Sequence, residues 1–256
     1  YIRIELLNYQ FQTVDSLEGV CSSGSISIDA NADIRWTGSI ELVIDNSSFE
    51  VETGSRIWLD KYLRVWVGTY AFSSSQVEYV NCGLYIIDAP SYEYDPSTNT
   101  LTLSLLDLMA KLTGTRNGYL EGIPVILYVG ENIRQAIIDT LALGGFTKYV
   151  VAEAPSPGTI PNDLEFSQGS TLYDLLAGLR DIYPDHEIFF DVDGVFYYKP
   201  IPTGEDDPIL IDDTLWDKIV LSEQMDVDFQ NVKNVIEVYG RVHEPAHFST
   251  SSSVSS

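Results

Sequence analysis

The strongest constraint on this chain is a period-two alternation that recurs through its first hundred residues. In Ser39-Ile40-Glu41-Leu42-Val43-Ile44-Asp45, Ile40, Leu42 and Ile44 fall on one face, with Ser39, Glu41, Val43 and Asp45 on the other. Successive side chains of an extended strand point to opposite faces, so the pattern describes a strand with one buried side. Tyr1 to Phe11, Gly38 to Ile44, Arg56 to Val67 and Gln76 to Ile87 are rich in Ile, Val, Tyr, Trp and Thr, which suit a pleated, half-buried surface. Ser22-Ser23-Gly24-Ser25 and Asp45-Asn46-Ser47-Ser48 carry turn chemistry between these runs. Several strands with such breaks predict an antiparallel barrel or sandwich over residues 1–112.

The pattern changes after Tyr94-Asp95-Pro96-Ser97-Thr98-Asn99. A strand at Thr100 to Leu105 leads into Leu105 to Leu112, which reads as a short helix ending before Gly114. Gly130-Glu131-Asn132 opens a helix in which Ile133, Ile137, Ile138 and Leu141 share a face, and Gly144-Gly145 ends it. Ser170 reads as the cap of a second helix, with Leu172, Leu175, Leu176 and Leu179 as its apolar stripe and Asp174 in its first turn. The expected helices are thus Ile133–Leu141 and Thr171–Asp181, and both stripes read as core faces. After Pro184-Asp185-His186, Asp193-Gly194 sits between aromatic and β-branched residues and predicts a hairpin with a type I′ turn. These elements make residues 113–204 a mixed α/β segment. Strands near Ile219 to Phe229 and Val232 to Val242 then predict a second β domain over 205–256, incomplete by Ser256, with a frayed Ser-rich end. The class is mainly β with an α+β insertion. The absence of an initiating Met predicts that the chain is the trimmed or ordered part of something longer.

Charge narrows the function. Lys and Arg number 14 against 38 Asp and Glu, a net charge of −24. Nucleic-acid affinity comes mainly from cations neutralising phosphates, and anionic lipid also recruits cations, so neither is an expected ligand. No run of about 18 apolar residues predicts a membrane span. Cys21 and Cys82 allow one bridge, but two free thiols are the preferred reading, and neither lies at zinc spacing. His186 reads as a partly exposed structural residue at a helix-to-strand joint; His243 and His247 lack a third ligand nearby. Asp191 and Asp193 before Gly194 invite a calcium loop, but Pro202 stands where a bidentate Glu is needed and the turn accounts for the Asp-Gly pair. No nucleophile elbow, HExxH or P-loop motif occurs, so no catalytic residue, metal or cofactor is assigned. A carboxylate-based glycosidase is the residual enzymatic alternative. The 16 Tyr and four Trp leave a secreted glycan-binding module as a second class of reading, although aromatic residues in alternating strands more often pack than bind.

Three features in order carry a resemblance. First is the β-rich stretch with Arg35-Trp36-Thr37-Gly38-Ser39-Ile40, Ile57-Trp58-Leu59-Asp60-Lys61-Tyr62-Leu63 and Gly83-Leu84-Tyr85-Ile86-Ile87-Asp88, running to Asp107-Leu108-Met109-Ala110-Lys111-Leu112. Second is the helix-then-hairpin unit Ser170 to Pro202, and third is Val232-Lys233-Asn234-Val235-Ile236-Glu237-Val238-Tyr239-Gly240. Over nearly the whole chain this order resembles the baseplate-hub and tail-hub proteins of tailed bacteriophages, including the N-terminal part of tail-associated proteins. The resemblance implies tube-like β-barrel domains alternating with smaller mixed domains, here an N-terminal barrel and the start of a second. It implies a homotrimer whose two barrel types form a pseudo-sixfold ring between the tail tube and the tip. The implied partners are distal tail or tail-tube proteins, the tape-measure protein and tip proteins, in a virion assembled in the host cytoplasm. DNA would pass through without specific binding. An acidic wall repels phosphate, and nine acidic residues from Glu205 to Asp228 face only Lys218. Asp206, Asp207, Asp212, Asp213, Asp217, Glu223, Asp226 and Asp228 are therefore the candidate lumen-lining residues, the alternative being an acidic face that confers solubility.

Overall fold

The structure, a computed structural model, describes residues 1–17, 20–44, 57–58, 60–71, 76–95, 98–120, 122 and 124–203. The chain divides into two compact units, Tyr1–Pro202 and Thr203–Ser256. The expected second β domain, its two strands, the Ser-rich end, His243 and His247 lie outside the described residues.

Seven strands form one antiparallel sheet: β1 (Ile2–Leu7), β2 (Thr13–Leu17), β3 (Val20–Ile28), β4 (Trp36–Ile44), β5 (Tyr62–Ala71), β6 (Gln76–Asp95) and β7 (Thr98–Leu106). Their spatial order is β2-β1-β5-β6-β7-β4-β3, so β2 and β3 are the two edges. Laid flat, seven strands would separate those edges by about 29 Å. Leu17 and Val20, however, end β2 and begin β3, and three peptide steps span at most about 11 Å. The sheet must therefore roll upon itself. Its inner face buries Ile4, Leu6, Leu17, Ile40, Leu42, Leu63, Val65, Tyr85, Ile87, Leu101, Leu103 and Leu105 in one cluster. The alternation seen at Ile40 and Leu42 thus points into this core. Among the described residues no β2–β3 pairing closes the seam.

Register shifts lie within β1, β3, β5/β6 and β6/β7. Each adds local twist, which helps a sheet curl. One corrects the sequence reading. Ser22-Ser23-Gly24-Ser25 forms no turn but runs inside β3, paired to β4 with a shift between Cys21 and Ser23. Local Ser/Gly preference yields there to the ladder with a strongly alternating partner. Likewise β6 extends far past Ile87, accommodating Pro90 just after a shift.

The helix expected over Leu105–Leu112 contracts to a 3₁₀ turn at Leu108–Lys111, because Leu105 and Leu106 remain paired in β7. Beyond it come β8 (Val125–Leu127), α1 (Ile133–Leu143), β9 (Tyr149–Val151), β10 (Leu164–Phe166), α2 (Leu172–Arg180), β11 (His186–Phe190) and β12 (Phe196–Pro200). β8 pairs with β10, and β12 joins β11 antiparallel and β9 parallel. Asn132 caps α1, its side chain accepting from the Gln135 N–H at 2.9 Å. Thr171, not Ser170, caps α2. Its hydroxyl accepts from the Asp174 N–H at 3.1 Å while Asp174 accepts from the Thr171 N–H at 2.7 Å. Only Thr171 has an acid three positions on to complete that reciprocal pair. The apolar stripes of both helices pack with Leu7, Tyr62, Leu84 and Ile86 of the large sheet and with Phe190, Phe196 and Tyr198 of the hairpin. Residues 1–112 and 113–202 thus share a core.

Candidate interaction surface

Four polar links brace the fold, three of them joining the rolled sheet to the mixed segment. Arg35, just ahead of β4, donates from Nη1 to Glu187 Oε2 of β11 at 2.7 Å, with both side chains more than four-fifths shielded. Lys199 lies 3.7 Å from the other Glu187 oxygen, and both cations sit over the Phe189 ring at 5.0 and 5.2 Å. Tyr173 of α2 donates its hydroxyl to Asp33 at 2.6 Å. Burial, then the Asp33 bond, push that phenol up to about 12.

The third link is Asp107, only 3% exposed. It accepts from the Trp36 N–H at 2.9 Å and from the Met109 N–H at 2.7 Å, so it both stitches β7 to β4 and caps the 3₁₀ turn. Burial raises its pKa to about 6, and these hydrogen bonds only partly offset that. Sequence pattern alone assigns Asp107 no role, although a lone carboxylate inside Leu105-Leu106-Asp107-Leu108-Met109 is the kind of signal that marks a buried polar contact.

The fourth link is the hairpin tip. Asp191 N–H donates to Val195 O at 2.9 Å, Gly194 N–H to Asp191 O at 3.1 Å, and Asp191 Oδ1 accepts from the Asp193 and Val195 N–H groups. Gly194 has φ +75°, whereas Asp193 stays out of the positive-φ region. A type I′ turn needs positive φ at both central residues, so the expected turn is corrected to a three-residue loop, Val192-Asp193-Gly194, with Gly194 as its left-handed residue. Asn81 of β6 donates to Asp193 Oδ1 at 2.9 Å and to Val192 O at 3.2 Å.

Histidine 186 also departs from expectation. It is buried, 4% exposed, between Tyr183 and a stacked Tyr198 at 4.9 Å, with Nδ1 2.8 Å from Asp185. Cys21 and Cys82 are free thiols, and burial raises the pKa of Cys21. Among the described residues no group of three or more His, Cys, Asp or Glu could hold a metal, and no helix is long and apolar enough to cross a membrane. The eight candidate lumen-lining acids all lie outside the described residues.

One part of the described surface is apolar. A cleft of about 410 Å³ has walls from both halves of the rolled sheet: Ile2, Val65 and Val67 on β1 and β5, and Ile26, Ile28 and Trp36 on β3 and β4. Ile28 is 61% exposed, and Val67 and Val80 are also open to solvent. Along it, the outer edge of β3 carries no strand partner among the described residues, and neither does that of β2 elsewhere on the sheet. Open edges beside exposed apolar side chains are suited to taking a protein partner.

A rolled antiparallel sheet followed by a two-helix segment with a hairpin is similar to folds seen in other solved structures. A 43 kDa tail protein of prophage MuSo2 from Shewanella oneidensis superposes with a TM-score of 0.54 at 17% identity, over 78% of this chain and 53% of that one. A tail protein from Neisseria meningitidis MC58 superposes at 0.51 and 11% identity, over 77% and 50%. A PdpA–VgrG complex is similar at 0.50 and 10% identity, over 100% and 46%. The chain spans about half the length of these structures. No protein-family model and no curated protein matches it.

Proposed function

We propose that this chain is a structural component of a phage or prophage tail, acting at the tail tip or baseplate as a hub. The observation that carries the proposal is the shared fold: two tail proteins match more than three-quarters of the chain. In this reading three copies form a ring that joins the tail tube to the tip and leaves a conduit for DNA. The edges of β2 and β3, unpaired among the described residues, and the apolar cleft along β3 supply surface for neighbouring subunits or tail proteins. Residues 205–256 form the second β domain of the ring, and the acids from Asp206 to Asp228 face the conduit. No substrate is assigned, because the polar links described above hold parts of the chain together.

Mass measurement and electron imaging of the purified protein test this reading. Trimeric rings with a central opening wide enough for a duplex are the expected result. A protein that stays monomeric at high concentration, alone and with its tail-tube partner, overturns the hub assignment.

A further inference from the structure

Lys111 and Lys148 stand apart from most cations of this acidic chain. Among the described residues, Arg3, Arg35, Lys61, Arg134, Arg180 and Lys199 each lie within 4 Å of a carboxylate oxygen. Arg64 and Arg116 make no such pair there, and neither do Lys111 and Lys148. Both instead line one recess of about 440 Å³ whose lining includes Tyr9, Phe11, Tyr62 and Phe146 and contains no Asp or Glu. With 38 acids to 14 bases in the chain, two ammonium groups left without carboxylates in one recess are a feature to be explained.

The two cations are held in place. Lys111 donates to the Tyr62 hydroxyl at 2.8 Å and lies 5.3 and 5.6 Å from the Tyr62 and Phe146 ring centroids. Lys148 sits 5.1 Å from the Phe11 ring. Ring faces stabilise a cation without neutralising it, so each ammonium keeps its charge for an incoming anion. Phe11 has φ +59°, and it is the one non-glycine residue in that region among those described. A large side chain is strained there. The conformation is held by Asn8, whose side-chain oxygen accepts from the Gln10 and Gln12 N–H groups, and by the Phe11 N–H bond to Asn8 O at 2.9 Å. The result sets the Phe11 ring edge-on to Tyr62 at 5.0 Å and beneath Lys148. Backbone strain retained at a recess of this composition is a mark of function.

We propose that this recess binds an acidic peptide segment of a partner protein, a side-chain carboxylate meeting Lys111 and Lys148 and a neighbouring apolar side chain lying against the rings. The volume suits a few side chains. An acidic saccharide fits less well, because its many ring hydroxyls would have only Gln10, Thr147 and the Tyr9 hydroxyl as free polar side chains, while seven of the eleven lining residues are aromatic or glycine and suit an apolar side chain. The proposal does not depend on the tail assignment, since it follows from the recess alone.

The test uses the full chain and the peptide acetyl-Glu-Phe-Glu-Phe-Glu-amide as probe, followed by calorimetry at two salt concentrations. Saturable binding that weakens with salt is expected. Replacing each Glu of the probe by Gln should weaken it at least about tenfold. Lys148→Met changes an exposed residue and should leave thermal unfolding unchanged while also weakening binding about tenfold. Lys111→Met should do the same, and its circular dichroism shows whether the core survives. Equal affinity for the Glu and Gln probes overturns the proposal. So does a folded Lys148→Met variant that binds like wild type. Sodium glucuronate binding as tightly as the peptide would assign the recess to acidic saccharides and overturn the peptide reading.

Discussion

Asn81 fastens the hairpin tip to the large sheet through Asp193, its Nδ2 donating to Asp193 Oδ1 at 2.9 Å across 112 positions of sequence. The same amide reaches Val192 O at 3.2 Å, while its oxygen accepts from the Gly83 N–H at 3.1 Å. Asn81 stands at the register shift where Val65 pairs with Gly83 and Trp66 with Asn81, leaving Cys82 without an opposite residue. One side chain therefore supports both the bulge and the docking of the hairpin.

Asn81→Ala should lose about 1–2 kcal/mol of stability, since it removes several partly shielded hydrogen bonds. Asp193→Ala should cost less. Residues in direct contact couple, so the double variant should be less destabilised than the sum of the two by about 0.5–1 kcal/mol. Urea unfolding of the four proteins measures this. Additive losses would show that the 2.9 Å contact contributes nothing.

Gly194 and Gly145 separate backbone strain from crowding. Both have positive φ, +75° and +77°. A Cβ on Gly194 would meet Leu84 Cδ2 at 2.5 Å and Leu108 Cδ1 at 3.0 Å, while one on Gly145 meets nothing within 4 Å. Gly145→Ala should cost about 1–2 kcal/mol from backbone conformation alone, and Gly194→Ala about 1–3 kcal/mol more from overpacking. Gly194→Val should be worse still. Equal losses at the two sites would mean the hairpin tip is not seated on Leu84. Calcium should leave the melting temperature unchanged, because among the described residues no three acidic side chains gather to hold a metal at the Asp191–Asp193 loop.

How far the sequence could be read depended on whether a feature was local. The stripe of α2, the opening of α1 after Gly130-Glu131-Asn132 and the alternation around Ile40 are set by neighbours a few positions apart, and these were legible. A barrel or sandwich was legible as a class, but the strand order that rolls this sheet was not, because β2 and β3 are consecutive in sequence yet farthest apart across it. Ser22 to Ser25 misled for the same reason: what overrides their turn preference is β4, a partner supplied by the tertiary fold. The hairpin was legible, but its turn type was not, since only the hydrogen bonds of Asp191 distinguish the three-residue loop from a two-residue one. Of the surface, neither the Arg35–Glu187 pair nor the recess of Lys111 and Lys148 leaves a mark in spacing. The acidic stretch after Glu205 was conspicuous in composition, but composition alone does not say which way it faces.

Asp107 should make stability pH-dependent in an unusual direction. Its native pKa of about 6 lies above the ordinary 3.8, so between these values the folded state holds a proton that the unfolded chain has released. Stability from this residue is fully present below about pH 4 and lost as pH rises toward 6, by about 3 kcal/mol in total. Asp107→Asn cannot titrate. The stability difference between wild type and variant should therefore change by that amount between pH 4 and pH 7, with wild type gaining relative to Asn as the pH falls. A difference that stays constant across this range would show that the carboxylate titrates normally despite its burial.

The conduit reading makes a charge prediction that the hub reading alone does not. If Asp212, Asp213 and Asp217 face an enclosed channel, their replacement by Lys should create phosphate contacts there. The apparent DNA affinity should then depend steeply on salt, and screening near 8 Å at physiological ionic strength restricts the effect to residues close to the DNA path. A ring can thread a linear duplex but not a covalently closed circle. The triple Lys variant, assembled into rings, should therefore retain linear DNA and release closed circular DNA. A control with Lys at the exposed Glu78, Glu93 and Glu131 should bind both forms alike or neither. Wild-type rings should retain neither form, because their acidic wall repels phosphate. If the triple variant bound linear and circular DNA equally, those acids would lie on an outer face. Their negative charge would then serve solubility, and the candidate lumen would have to be sought elsewhere in the ring.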